Sequence, residues 1–274
     1  MLSRGGLSRG TALLCVLFAA AGLAITAFAS PVIDSAVIKS RIWNDDSDST
    51  FSSINLYPSH IQLKDEVLDG DGVDSEWANR HAFRLSDNGG ISEAVFNNGD
   101  GFELFADVTI TGTANAEGGL NFSSWWTKDV DGVMMLNTET GEVACFGARL
   151  PFYSFTANDG VTYTKGTTVR QGIIYRPNGL SETDPATIQY FYNDGTQYSS
   201  PEIAYDMGNA AEDPPYGLWG NLNDGRLGGY FLPKIVVDDP TNWAQIDFEN
   251  LTYVPEPTSL LLLGAAGLIL VRRR

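Results

Sequence analysis

The chain has 274 residues, with 17 Lys and Arg against 34 Asp and Glu and a net charge of −17. Discounting the five arginines near its ends (Arg4, Arg9, Arg272, Arg273, Arg274) leaves 12 basic residues against 34 acidic ones, a net of −22. Such a surface repels phosphate backbones and excludes nucleic acid as a partner, and the length suffices to bury a core without covalent staples.

Residues 1–29 open with basic Arg4 and Arg9, continue through an apolar stretch, and place small residues at Ala27 and Ala29. That order predicts a helical Sec signal peptide cut between Ala29 and Ser30, delivered by the Sec translocon; an uncleaved anchor is the alternative. Cleavage removes Cys15 and leaves Cys145 alone, so no internal disulfide is expected. In "GEVACFG" Cys145 alternates with Val143, which predicts a core thiol on a strand.

From Ser30 to Val254 the pattern is period two, with almost no helical period. A strand is predicted near Ala36–Trp43. In "FELFADVTITGT", Phe102, Leu104, Ala106, Val108 and Ile110 fall on one face, opposite Glu103, Asp107, Thr109 and Thr111. Hairpins are predicted around Thr138–Gly141, at Lys165-Gly166 and around Asp194-Gly195. The closing strand, Ala244–Tyr253, changes parity at Glu249-Asn250, which predicts a bulge. Many short strands between Gly, Asn and Asp turns predict an all-β fold: one antiparallel β-sandwich, a jelly roll, over residues 30–254. By strand pattern and length the body resembles concanavalin A-like and laminin-G-like jelly rolls.

Three kinds of chemistry are candidates in that body. "LDGDGVDSEW" gathers Asp69, Asp71, Asp74 and Glu76 around glycines, the oxygen-rich turn that Ca²⁺ takes, although such clusters are also ordinary solvent turns. Zinc lacks ligands, since His60 and His81 are the only histidines. Carboxylate pairs such as Glu139 with Glu142, or Asp247 with Glu249, arise by chance in so acidic a chain, and no Gly-x-Ser-x-Gly elbow occurs within residues 30–254. Aromatics are the remaining lead. Trp125, Trp126, Tyr216 and Trp219, among Gly and Asn, could stack on sugar rings, while packing in the core is the competing role.

The segment after Val254 reads Pro255-Glu256-Pro257, then an apolar run Leu260–Val271, then Arg272-Arg273-Arg274. Twelve residues of helix reach about 18 Å, against about 30 Å of hydrocarbon. The arginines would stay cytoplasmic. Motif, short helix with Gly264 and Gly267, and basic end resemble the PEP-CTERM sorting signal of bacteria. That resemblance implies an exosortase as partner, transient or stable anchoring of residues 255–274 in the inner membrane, and delivery to the cell surface or extracellular matrix of an exopolysaccharide-producing bacterium. A GPI signal would not end in arginines.

The expectation from sequence is therefore an exported, non-enzymatic surface protein associating with exopolysaccharide. The alternatives are a purely structural coat protein without a ligand and a jelly-roll glycan hydrolase. No cofactor is required by the sequence, and Ca²⁺ is the one candidate.

Overall fold

The computed structural model describes residues 30–43, 48–68, 77, 79–97, 99–123, 132–148, 150–205, 220, 223–235 and 239–256. The expected signal-peptide helix, and the tail beyond Glu256, lie outside the described residues. Among the described residues no helix is long and apolar enough to cross a membrane.

In chain order the first strands are β1 (Ser35–Trp43), β2 (Thr50–Leu56), β3 (His60–Glu66), β4 (Arg80–Ser86), β5 (Phe96–Asn97) and β6 (Phe102–Gly112). Next come β7 (Ala116–Ser123), β8 (Val133–Asn137), β9 (Val143–Phe146), β10 (Tyr153–Ser154) and the one-turn helix α1 (Phe155–Asp159). The rest are β11 (Thr168–Arg176), β12 (Thr187–Asn193), β13 (Gln197–Ser199), β14 (Ile203–Ala204), β15 (Asn223–Pro233) and β16 (Trp243–Pro255). They form two antiparallel sheets, ordered β1-β4-β15-β7-β8-β9-β10 and β13-β12-β11-β6-β16-β3-β2. The short β5 pairs with β15, and β14 with β12. The result is a β-sandwich of the jelly-roll class.

β6 follows its sequence pattern throughout: Phe102, Leu104, Ala106, Val108 and Ile110 are all fully buried. They face Phe83 and Leu85 of β4 and Leu120 and Phe122 of β7 in one core. Each of the larger side chains contributes about 1.5–3 kcal/mol by leaving water. Phe83 meets Phe248 edge-on at 4.9 Å across the sheets, and Gly229 makes that contact possible. A Cβ there would lie 2.5 Å from the Phe83 ring and 2.7 Å from the Phe248 ring. The bulge in β16 is present as a register shift between Glu249 and Thr252, with Asn250 at φ 50°. Cys145 is fully buried beside Val143, as its alternation implies.

One predicted hairpin is corrected. Residues 161–164 form no strand. β11 already pairs with β6 on one edge and β12 on the other, so neither edge is left for a hairpin partner. Tyr163 crosses toward the first sheet instead, donating its N–H to Gly141 O at 2.9 Å.

A buried polar network ties the two sheets together. Arg41, at φ 50° where β1 shifts register, donates its main-chain N–H to His81 Nδ1 at 3.1 Å. The ring proton is thereby assigned to Nε2, which donates to Asp65 Oδ2 at 3.0 Å. Asn79 donates to the same oxygen at 2.9 Å and to Ser49 Oγ at 2.7 Å. Phe51 stacks on the imidazole at 4.1 Å. Burial lowers the pKa of His81, with Asp65 offsetting part of the effect. Burial pushes Asp65 up, but the hydrogen bonds from His81 and Asn79 outweigh it and the carboxyl stays below its ordinary value.

Candidate functional site

The outer face of the first sheet is not a solvent face. Every residue of β4 and β8 is buried, so neither strand shows the half-wet alternation of β6. On that face Ala82, Val133, Met135, Ala144, Tyr230 and Leu232 form a second apolar cluster, with Ile42, Trp43 and Trp77 packed against it.

Ionisable groups are set into this cluster. Arg80 and Arg84 leave β4 on the same face, four residues apart. Their exposures are 4% and 0%. Arg84 lies opposite Gly228 of β15, which lies opposite Asn121 of β7. Two interstrand spacings separate Arg84 from Asn121, about 9–10 Å, with a residue lacking a side chain between them. The Arg84 guanidinium donates to Phe83 O at 3.3 Å, and Asn121 Nδ2 donates to Gly132 O at 2.8 Å. Tyr230, fully buried, lies under the Arg80 guanidinium at 4.4 Å and donates its hydroxyl to Glu117 Oε1 at 3.4 Å.

The electrostatics follow from burial. Desolvation raises the pKa of Glu117, partly countered by Arg80 and the Tyr230 hydrogen bond, with Glu142 adding to the rise. Desolvation, reinforced by Glu117, holds the Tyr230 phenol well above its ordinary value. At neutral pH Tyr230 is therefore a protonated donor beside a carboxylate whose proton affinity is increased.

Next to this layer, a cavity of about 510 Å³ is bordered by Val37, Lys39, Glu93 and Arg226. Val37 is the strand partner of Arg84, and Arg226 that of Ser123. Glu93 joins Lys39 at 2.7 Å and Arg226 at 3.0 Å. Four cations of an acidic chain thus share one sheet face.

The outer face of the second sheet is different. Asp247 of β16 accepts from Gln62 at 2.9 Å and Gln245 at 2.6 Å, and meets His60 Nε2 at 2.8 Å. Its partner in the sequence-level carboxylate pair, Glu249, is exposed on the same strand. Farther along, Phe105 and Phe191 flank Gly172 in one row, beside Arg170, Asn193 and Gln197.

The residues singled out from sequence fall elsewhere. Trp125, Trp126, Tyr216 and Trp219, the calcium candidates Asp69, Asp71, Asp74 and Glu76, Ala27, Ala29, Pro257 and Arg272–Arg274 lie outside the described residues. Among the described residues no group of three metal-ligating side chains occurs. Ser30 is buried, and Pro255 ends β16 opposite Phe102. Glu256 pairs with Arg176 at 3.5 Å. Sequence reading did not single out Arg80, Arg84, Glu117 or Asn121. The available signal was "NRHAFR", two of the body's few cations on one face of one strand.

No protein-family model matches the chain, and no curated protein matches it. Solved structures with a similar fold include the alginate lyase AlgAT5 of polysaccharide lyase family 7, at 12% identity over 81% of this chain and 95% of that one, TM-score 0.44. An alginate lyase from Corynebacterium sp. aligns at 10% identity over 81% and 94%, TM-score 0.44. Arcelin-5, a lectin-like defense protein from Phaseolus vulgaris, aligns at 11% identity over 83% and 95%, TM-score 0.38. The expectation of a non-enzymatic body that only associates with exopolysaccharide is corrected here. Alginate lyases recur among the structures of similar fold, and the described outer face of the first sheet carries buried arginines and a tyrosine beside a half-buried carboxylate.

Proposed function

We propose that the body is a glycan-cleaving enzyme acting on an acidic polysaccharide along the outer face of the first sheet. The observation that carries this reading is the layer of buried Arg80, Arg84, Asn121 and Tyr230 with half-buried Glu117 among them. A uronate carboxylate is an anion that a guanidinium fork matches.

Elimination is the reaction that these groups suit. Arg84 and Asn121 have no exposed surface of their own, so they hold the sugar carboxylate once the substrate displaces side chains packed over that face; they then withdraw its charge, which makes the adjacent C5 proton acidic. Glu117, with its raised proton affinity, takes that proton. The C4–O bond breaks as the C4=C5 double bond forms, and the Tyr230 hydroxyl protonates the departing oxygen. The proton on Glu117 then passes to the Tyr230 phenolate through their hydrogen bond, so no net proton is consumed. A second reading is hydrolysis by two carboxylates. It is favoured by one observation, that Glu142 is near enough to raise the Glu117 pKa.

Incubation with alginate, polygalacturonate and a neutral glucan tests both. Elimination predicts new ultraviolet absorbance from the conjugated double bond together with new reducing ends, on acidic polymers only. Reducing ends without that absorbance select hydrolysis, and neither signal on any polymer overturns the proposal.

The address read from the chain ends is proposed alongside: export by Sec, then sorting at Pro255-Glu256-Pro257 by an exosortase. Mass spectrometry of the mature protein from its producing cell checks it. An N-terminus at Ser30 and a C-terminus near the motif are expected, and an intact tail on the mature protein would exclude processing there.

A further inference from the structure

We propose that the outer face of the second sheet carries a separate seat for one neutral sugar ring, built by Phe105, Phe191 and Arg170. It stands on the opposite sheet from the cleavage layer and does not depend on that reading.

Register builds the floor. Gly172 of β11 lies opposite both Phe105 of β6 and Phe191 of β12. A Cβ on Gly172 would sit 2.1 Å from the Phe105 ring, so only glycine lets that ring lie across the strand. The Phe105 and Phe191 rings meet at 5.7 Å with a tilt of 54° and form an apolar trough. These rings are on the face turned away from the core, and a cavity of about 230 Å³ opens at them. That volume is below the roughly 300–1,000 Å³ of pockets for drug-sized ligands, which suits one ring.

The neighbouring row supplies polar groups of fixed orientation. Arg170 donates to Asp107 Oδ1 at 2.7 Å and to Thr252 Oγ1 at 3.4 Å, and lies 5.7 Å from the centre of the Phe105 ring. Asp107 is held in turn by Asn250 Nδ2 at 2.8 Å. The guanidinium charge is thus matched by a protein carboxylate, which leaves directional N–H donors without an excess charge to attract an anion. Asn193 and Gln197 complete the rim, and the Gln197 amide has no hydrogen-bond partner among the described residues. Apolar ring faces beneath and amide and guanidinium donors at the side are the complement of a pyranose: C–H groups on its face, hydroxyls on its edge.

The test is saturation-transfer NMR on the full chain with methyl glycosides of glucose, mannose, galactose and N-acetylglucosamine. At least one probe should bind. Phe191→Ala should weaken that binding about tenfold or more, and Gln197→Ala about two- to tenfold. Gln197 is exposed, so its variant serves if Phe191→Ala fails to fold. Glu117→Gln on the other sheet should leave binding unchanged, and Gln197→Ala should leave cleavage of acidic polymers unchanged. No binding by any probe, or binding unaffected by Gln197→Ala and Phe191→Ala alike, would overturn the seat without touching the cleavage proposal.

Discussion

Ser30 and Glu256, at opposite ends of the described chain, donate to one acceptor, the carbonyl of Gly101. The Ser30 hydroxyl reaches it at 3.3 Å and the Glu256 main-chain N–H at 2.9 Å. Both flanks of the sandwich are fastened at a single point just before β6. Gly101 has no room for more: a Cβ would lie 2.8 Å from Glu256 Oε2 and 3.1 Å from Pro177 Cδ.

Gly101→Val should therefore release both ends together. Overpacking of this kind costs about 1–3 kcal/mol. Hydrogen exchange should rise at Val254–Glu256 and near Ser30 while the centre of β6 stays protected. Unchanged exchange at both ends would contradict the shared anchor.

The cleavage layer makes a sharper demand. Tyr230→Phe removes one hydroxyl and one long hydrogen bond, so stability should change by no more than about 1 kcal/mol. Loss of the proton donor should reduce turnover of acidic polysaccharide about 10²–10⁴-fold. Arg84→Lys keeps the charge but not the fork, and should impair turnover by tenfold or more. Kinetics and thermal melts on the same samples separate the two effects.

Acid should loosen the sandwich through the His81–Asp65 pair. His81 has a folded pKa below its ordinary 6.5, so the unfolded chain binds the proton more readily. Its contribution is present above about pH 6.5 and is lost as pH falls from there through the folded value. Asp65 is also depressed, and its contribution, present above the ordinary carboxylate range, is lost as pH falls through its folded pKa. Glu117 acts oppositely: its raised pKa favours folding at low pH, a gain lost as pH rises through the folded value. Urea unfolding between pH 8 and pH 5 should show falling stability with acidification, and His81→Gln should flatten the upper part of that slope.

Gly229 is a packing constraint that a single substitution can probe. Gly229→Val drives methyl groups into the Phe83–Phe248 contact. A loss of about 1–3 kcal/mol corresponds to about 2–4 °C of melting temperature per kcal/mol at this chain length. Enzymatic turnover per folded molecule should be retained, because the contact faces the core.

Legibility from sequence tracked which strands have one wet face. β6, the β8–β9 and β12–β13 hairpins and the Glu249-Asn250 bulge were readable because alternation and turn residues agree there. β4 was not, since Arg80 and Arg84 are buried opposite His81 and Phe83 and no polar-apolar alternation survives. The helix α1 was missed although Ser154 caps its start, accepting from Ala157 N at 3.1 Å, and Gly160 ends it at φ 71°. Five residues are too few for a helical period, so only the caps could have marked it. The candidate site is assembled from β4, β7 and β15, and no local motif announces a partnership set by sheet order.

β16, last among the described strands, is also an interior one of its sheet, lying between β6 and β3. Until it arrives, β2 and β3 have no ladder joining them to β6, and Phe248 is missing from the core. The second sheet therefore cannot assemble progressively from the N-terminal side. Its folding barrier includes the ordering of nearly the entire body, the slow regime of topologies dominated by distant contacts. A partly synthesised chain would remain unfolded and open to proteases or chaperones, and structure would come late and cooperatively once Trp243–Pro255 is available to be inserted.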